Sequence, residues 1–184
     1  MSDLEPHAVP DAVLEALGLE DDPGAFDPYT VDSDGWNLEV SGAVTDPLSL
    51  SRRDLESFPF ETATEDFDCV EGWRADDLAW RGVRVERVLE RAGPVADEPH
   101  ALVRALDGDY ACSFPLERLS TALLALELDG EPLPLEHGGP ARLVPLDDDD
   151  DCWESIKWVS AIEIGDDPFG GDDTAKERAL SRLE

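Results

Sequence analysis

The stretch that bears most directly on the fold is Asp66-Phe67-Asp68-Cys69-Val70-Glu71-Gly72-Trp73. Within it, Cys69 ends a short extended segment and precedes a polar turn. A cysteine thiolate binds soft metals strongly, so one held at a fixed position can complete the coordination of a transition metal that an organic group already carries. A single cysteine also commonly serves as a small buried apolar residue. The surrounding sequence has to distinguish these two interpretations.

A series of short motifs follows the cysteine in a defined order. They are Cys69-Val70-Glu71-Gly72-Trp73, Trp80-Arg81-Gly82-Val83, Asp107-Gly108-Asp109-Tyr110, Leu126-Glu127-Leu128-Asp129-Gly130-Glu131-Pro132, His137-Gly138-Gly139-Pro140-Ala141-Arg142 and Ser155-Ile156-Lys157-Trp158. This order and spacing resembles the molybdopterin-binding domain of the sulfite oxidase family, including its small bacterial and archaeal relatives. The resemblance covers about residues 35–164.

The resemblance implies both the chemistry and the residues that carry it. Cys69 occupies the position of the family's molybdenum ligand, so the implied reaction is oxygen-atom transfer at a molybdopterin centre, where the cofactor performs the two-electron step. Family members bind the cofactor's phosphate with an Asn- or His-Gly-Gly-Pro-x-Arg turn and a later turn that reads Gly or Ser, Ile or Val, and Lys. The matching positions of this sequence are His137, Gly138, Arg142, Ser155, Ile156 and Lys157.

Lys157 is a candidate anion-binding residue on chemical grounds as well. Apart from Lys176 it is the only lysine in the chain, and it interrupts an apolar stretch between Ile156 and Trp158. A lysine on a partly buried segment needs an anionic partner, either a phosphate or a carboxylate. An ordinary ion pair with one of the many acidic side chains is therefore the alternative to cofactor binding.

Three more polar residues are candidates for the substrate side of the site. Arg74 directly follows the cysteine stretch, and Arg104 and Tyr110 flank Asp107-Gly108. A small anionic or oxo-accepting substrate would need the positive charge of the arginines, and the Tyr110 hydroxyl could donate a hydrogen bond to an oxygen atom. Each of the three can equally be a surface residue.

Acidic residues depart from the family pattern near the implied site. Asp68 precedes Cys69 where relatives often carry His or Arg, Asp147–Asp151 are five consecutive aspartates, and Glu154 stands in place of a base. Negative charges beside an anionic cofactor are unfavourable. Two alternatives to the enzyme therefore stay open: a relative that has lost the cofactor and acts in binding or assembly, or an acidic module that binds Ca²⁺ or Mg²⁺ through the aspartate run.

The composition limits the class of protein. The net charge is −31, from 45 Asp and Glu against 14 Lys and Arg, and salt screens such self-repulsion, with a Debye length of about 3 Å at 1 M. This composition predicts a cytoplasmic protein of an organism with molar internal salt. Nucleic-acid binding is disfavoured because it needs a basic face. Three cysteines without a CxxC pair predict no disulfide framework.

No segment has the character of a secretion signal or a membrane span, so we expect no membrane association. We expect an acidic leader at 1–34, a molybdopterin-binding-like domain at 35–165 and an acidic tail at 166–184. Relatives of this size often lack the haem domain of full sulfite oxidases, and the resemblance therefore implies an external electron carrier.

Apolar spacing and turn residues predict strands and short helices in an irregular order. Ser51 can cap a helix, Gly93-Pro94 ends another, and Asp107-Gly108 joins two strands in a hairpin. Strands are predicted at 36–40, 61–70, 101–105, 110–114, 123–128, 143–144 and 159–164, and helices at 9–17, 51–58, 85–92 and 116–119. Without a regular βαβ rhythm, this order predicts an α+β fold with mostly mixed β-sheets and short helices, as the resemblance also implies.

Overall fold

The computed structural model describes residues 9–19, 21–22, 36–68, 74–108, 110–146, 154–166 and 174, with the backbone alone at 67, 68 and 74. In chain order the elements are α1 (Asp11–Ala16), β1 (Leu38–Gly42), β2 (Leu48–Leu50), α2 (Arg52–Glu56), β3 (Phe60–Asp68), β4 (Arg74–Arg84), α3 (Val85–Ala92), β5 (His100–Ala105), β6 (Ala111–Pro115), α4 (Leu116–Ser120), β7 (Leu123–Leu128), β8 (Glu131–Pro132), a 3₁₀ turn (Leu135–His137), β9 (Arg142–Val144) and β10 (Val159–Gly165). None of the helices in these ranges is long and apolar enough to span a membrane.

The first sheet has five strands in the order β2-β1-β10-β5-β6. β1 and β10 run parallel, with Val40 opposite Ile162, although they lie at opposite ends of the domain sequence. β5 and β6 form the hairpin predicted around Asp107-Gly108, with Val103 opposite Cys112. The sheet therefore brings the beginning and the end of the domain together at its centre.

The second sheet has the order β3-β4-β7-β8, and β9 also pairs with β7. β3 and β4 form a long antiparallel hairpin in which Asp68 lies opposite Arg74. Residues 69–73 connect these strands. Gly82 lies where β4 runs against β7, and a Cβ at this position would overlap the carbonyl oxygen of Leu124. Only glycine permits this close approach of two backbones.

β7 contributes to two hydrophobic clusters. Leu124 and Leu126 lie in the main core, whereas Leu123 and Ala125 pack in a second cluster that includes Trp80. Because successive side chains of a strand point to opposite faces, β7 is buried on both of its faces. This explains why its sequence is a continuous apolar run and not an alternating one.

The helices pack where their apolar spacing predicts. In α3, Val85, Val88 and Leu89 are buried in the main core. Ser51 caps α2 as predicted, since its hydroxyl accepts a hydrogen bond from the backbone N–H of Asp54 at 3.1 Å. The predicted strands and helices of residues 36–165 are thus largely confirmed, and the α+β organisation with them.

Two segments outside the predicted central domain also contact it. α1 lies in the predicted leader, yet its Val13 is fully buried and belongs to the main core. In the predicted tail, the hydroxyl of Thr174 accepts a hydrogen bond from the N–H of Ala111 on β6 at 3.1 Å. Both contacts join residues of the predicted leader and tail to the predicted domain.

Candidate functional site

Two segments separated by eleven residues interlock to form the candidate site. The first is 135–142, which contains the 3₁₀ turn, and the second is 154–158; together they are called the cradle here. The N–H of Trp158 donates to the carbonyl of Gly138 at 3.0 Å. The N–H of Leu143, directly after the first segment, donates to the carbonyl of Ile156 at 2.9 Å. The two predicted phosphate-binding motifs are therefore neighbours in space.

Glycine allows the two segments to approach this closely. Gly138 has a φ of +107°, a conformation that L side chains rarely adopt. A Cβ at Gly138 would lie 2.9 Å from Cγ and 3.0 Å from Cβ of Lys157. The position of the Lys157 side chain consequently depends on the absence of a side chain at residue 138.

Arg142 holds the cradle together from inside. Its side chain is 1% exposed. Nε donates to the hydroxyl of Ser155 at 2.9 Å, and Nη1 donates to the carbonyl of His137 at 3.0 Å. The guanidinium also lies over the ring of Trp80, 5.0 Å from its centroid. One buried cation thus links the turn, the second segment and strand β4.

His137 presents an unusual polar group. Its Nδ1 is buried and has no hydrogen-bond partner among the described residues, a costly arrangement that calls for a ligand or a water molecule. Burial lowers the pKa of His137, and the charges of Arg142 and Lys157 lower it further, against the opposing effect of Glu136. The imidazole is therefore neutral at pH 7, mainly because it is buried.

The other two predicted residues of the second segment differ in accessibility. Lys157 is half-buried, and its Nζ lies over the ring of Trp158 at 5.8 Å from the centroid. Ile156 is fully buried in the main core, and its N–H and carbonyl bond Glu154 and Leu143, so this residue anchors the segment.

Glu154 is an acid whose charge the structure offsets. Its carboxylate, 8% exposed, forms an ion pair with Arg118 on α4. A second hydrogen bond runs from Nη2 of Arg118 to Oε1 of Glu154 at 2.8 Å. Arg118 is not among the predicted site residues, since nothing in its local sequence distinguishes it from the other arginines.

The predicted substrate residues of the β5–β6 hairpin lie in different surroundings. Arg104 is 40% exposed, and its guanidinium is 3.6 Å from the carboxylate of Glu163 on β10. Tyr110 is half-buried and packs against the main core. The hairpin reaches the cradle through its backbone, because the N–H of Leu106 donates to the carbonyl of Trp158 at 2.7 Å.

The predicted metal ligand Cys69 lies outside the described residues, as does the 147–151 run, and only the backbone of Arg74 is described. What the structure gives is the hairpin that carries residues 69–73. Among the described side chains, no group of three or more His, Cys, Asp or Glu is arranged to bind a metal ion.

The residues that are described fit a phosphate-bearing cofactor. A phosphate needs cationic and hydrogen-bonding groups around it, and the cradle provides the charges of Arg142 and Lys157 beside the unpartnered Nδ1 of His137. The glycine turn keeps side chains out of the space next to Lys157.

Comparison with known proteins agrees with this geometry. Residues 25–172 match the family model described as "Oxidoreductase molybdopterin binding domain". The chain belongs to this family. The matched range includes both segments of the cradle and the β3–β4 hairpin, so the molybdopterin-binding domain is the structural unit to which the predicted residues belong.

Relatives of this molybdopterin-binding domain are oxidoreductases. "Uncharacterized oxidoreductase YuiH" of Bacillus subtilis (strain 168) is 37% identical over 74% of this chain and 69% of its own length. Mitochondrial sulfite oxidase of Homo sapiens is 35% identical over 62% of this chain but only 26% of its own length. The catalytic subunit MsrP of a Campylobacter jejuni protein-methionine-sulfoxide reductase is 28% identical, with 42% of its length covered.

A solved structure supports the fold of the domain. The sulfane dehydrogenase SoxCD from Paracoccus pantotrophus superposes with a TM-score of 0.67 at 27% identity, covering 73% of this chain and 39% of that one. The α+β fold predicted from the sequence is thus confirmed. The chain spans about a quarter of the human sulfite oxidase and two fifths of the SoxCD chain, so it corresponds to one domain of these larger proteins.

Proposed function

We propose that this domain is a sulfite oxidase-type molybdopterin oxidoreductase that catalyses oxygen-atom transfer, with Cys69 as the protein ligand of the metal. The observation that carries the proposal is the unpartnered, buried Nδ1 of His137 beside two cationic side chains. A buried polar group without a partner is rare in folded proteins, and the phosphate of the cofactor would supply the missing acceptor.

The chain's own residues would bind and orient the cofactor. When bound, molybdopterin supplies the two-electron redox chemistry. Lys157 would offer a mobile point charge to the phosphate, and His137 a hydrogen bond from its ring. Nε and Nη1 of Arg142 already donate to Ser155 and to the carbonyl of His137. Arg142 would therefore contribute positive charge and fix the geometry of the turn.

The substrate side rests on Arg74 and Tyr110 together with Arg104. An anionic substrate favours an arginine whose charge is not already offset. Arg104 is paired with Glu163, and Arg74 begins the strand that follows the proposed ligand in the sequence, where its backbone lies opposite Asp68; both stay candidates. The names of the relatives point to sulfur compounds, because sulfite, sulfane sulfur and methionine sulfoxide appear in them.

We further propose an external electron carrier as the partner of this domain and the cytoplasm of a high-salt organism as its location. The first rests on the two-electron chemistry that molybdopterin supplies, which requires a carrier for the electrons. The second rests on the net charge of −31, which molar salt would screen.

Molybdenum analysis tests the proposal. Protein produced at high salt in a molybdenum-competent host should contain about one Mo per chain. Cys69→Ser should abolish turnover. Lys157→Gln should lower the Mo content, whereas Arg87→Gln on the exposed face of α3, which removes the same charge, should not. Protein without Mo would contradict the proposal and favour a relative that has lost its cofactor.

A further inference from the structure

Trp158 has a backbone conformation that calls for an explanation. Its φ is +54°, a left-handed conformation that is rare for a bulky L residue. Only two other non-glycine residues of the described chain, Asp77 and Asp129, have positive φ. Strain of this kind persists where the surrounding structure enforces it, and it is concentrated at functional sites.

Three hydrogen bonds hold Trp158 in this conformation. Its N–H donates to the carbonyl of Gly138 at 3.0 Å, and its carbonyl accepts from the N–H of Leu106 at 2.7 Å. Its indole Nε1–H donates to the carbonyl of Leu135 at 2.7 Å. Two of the three bonds therefore flank His137: one goes to Leu135, the first residue of the 3₁₀ turn, and the other to Gly138, the residue directly after the turn.

The left-handed residue also determines where Lys157 lies. Lys157 directly precedes Trp158, and its Cβ and Cγ lie against the backbone of Gly138. Its Nζ lies 5.8 Å from the centroid of the Trp158 ring, within the range of a cation–π contact. The positions of the Lys157 ammonium and of the turn that carries the His137 imidazole thus both depend on Trp158.

Resting on the proposed function, we infer that Trp158 is a positioning residue for cofactor binding: it fixes the His137 turn relative to the Lys157 ammonium, and it does not itself touch the phosphate. The alternative is that Trp158 only fills the core, in which it is 7% exposed. Core filling alone would make the indole N–H unimportant for the environment of His137.

The chain offers a matched control for this distinction. Trp36 is 1% exposed in the same core, and its Nε1–H donates to the carbonyl of Val159 at 2.9 Å. Trp158→Phe and Trp36→Phe therefore remove the same kind of hydrogen bond from the same cluster. Only the first removes a bond to the turn that carries His137.

The experiment is a proton NMR titration of the three histidines in the full chain, with His137 assigned by His137→Gln. In Trp158→Phe the turn should loosen and hydrate, so the lowered pKa of His137 should move up towards its ordinary value of 6.5. In Trp36→Phe it should stay where it is. Equal movement in both variants, or none in Trp158→Phe, would overturn the inference without any reference to the cofactor.

A second titration uses inorganic phosphate at constant ionic strength. Affinity should fall about tenfold in Trp158→Phe, as expected for one misplaced charge-assisted hydrogen bond, and less than about twofold in Trp36→Phe. Equal losses would overturn the positioning role. If the wild-type protein does not bind phosphate, that result would count against the proposed function. The histidine titration would still decide the role of Trp158.

If Trp158→Phe does not fold, the inference can be tested on the wild-type protein. The indole N–H resonances of the five tryptophans can be followed while pH protonates His137. The resonance of Trp158 should follow this titration because its partner Leu135 lies in the same turn, and that of Trp36 should not. A Trp158 resonance that ignores the protonation of His137 would refute the inference.

Discussion

Replacing Glu154 by Gln should destabilise the domain, because it removes the negative charge that pairs with the guanidinium of Arg118. The two side chains are 8% and 26% exposed and are joined by two hydrogen bonds. The guanidinium of Arg118 also lies 5.7 Å from the ring centroid of Phe114. Glu154 begins the second segment of the cradle, and the ion pair ties that segment to α4.

The size of the effect follows from the exposure of the pair. Breaking a fully buried ion pair costs about 3–5 kcal/mol, whereas exposed pairs contribute about 0–1 kcal/mol. Arg118 retains contact with water, so we expect a loss of about 1–3 kcal/mol for Glu154→Gln. For a chain of this length the midpoint of thermal unfolding should fall by about 2–4 °C for each kcal/mol.

A double-mutant cycle with Arg118→Met isolates the interaction. Urea unfolding should give a coupling free energy of about 1–3 kcal/mol that changes little between low salt and about 1 M salt. The control cycle is Arg81 with Glu127, which are 47% and 20% exposed. The coupling free energy of this control pair should be less than about 1 kcal/mol at low salt, and about 1 M salt should abolish it. Coupling that is near zero for the Glu154 pair, or as salt-sensitive as the control, would refute the reasoning.

Two other perturbations address the cradle directly. Gly138→Ala should cost about 1–2 kcal/mol from its positive φ and should also lower the Mo content, because the new Cβ would displace Lys157. Gly130 has a φ of +85° and open space around it, so Gly130→Ala should lower the stability without lowering the Mo content. Equal losses of Mo in the two variants would contradict the displacement of Lys157 as the cause. His137 has a pKa below 6.5 when folded, so the unfolded chain binds its proton more readily. The contribution of His137 to the free energy of unfolding should therefore be complete above about pH 6.5 and should decrease as the pH falls below that value. His137→Gln should remove this component, and unchanged pH profiles of urea unfolding would argue against a buried neutral ring.

The elements that sequence reasoning identified are those with simple apolar spacing. The hairpin around Asp107-Gly108 and the run at 123–128 are examples, since a single period or a turn motif defines each. Strand β4 was missed although it is the longest strand among the described residues. Asp76 and Asp77 are both exposed, and Asp77 has a φ of +54°. The alternation that would have revealed the strand is interrupted there.

The site was only partly accessible to sequence reasoning. The resemblance brought His137, Arg142 and Ser155 together, and their hydrogen bonds bear out that they are neighbours. It gave no indication that Arg142 is a buried link within the protein. The partners Arg118 and Glu154 are separated by 36 positions, and no local pattern connects an arginine on one helix with an acid before a loop.

The acidity of the chain and its cationic cradle are compatible because they act over different distances. Glu154 alone would be unfavourable to an anionic cofactor, but its carboxylate is paired with Arg118. Arg142 is 1% exposed, and solvent ions screen a buried charge far less than a surface charge. At molar salt the Debye length is about 3 Å, so the exposed acids of this chain would scarcely repel a phosphate already in contact with the cradle. Binding would then depend on the short contacts of His137 and Lys157 and not on the overall charge, and it should strengthen as rising salt screens the surface acids. Affinity that falls steadily from low to molar salt would show that long-range attraction dominates instead.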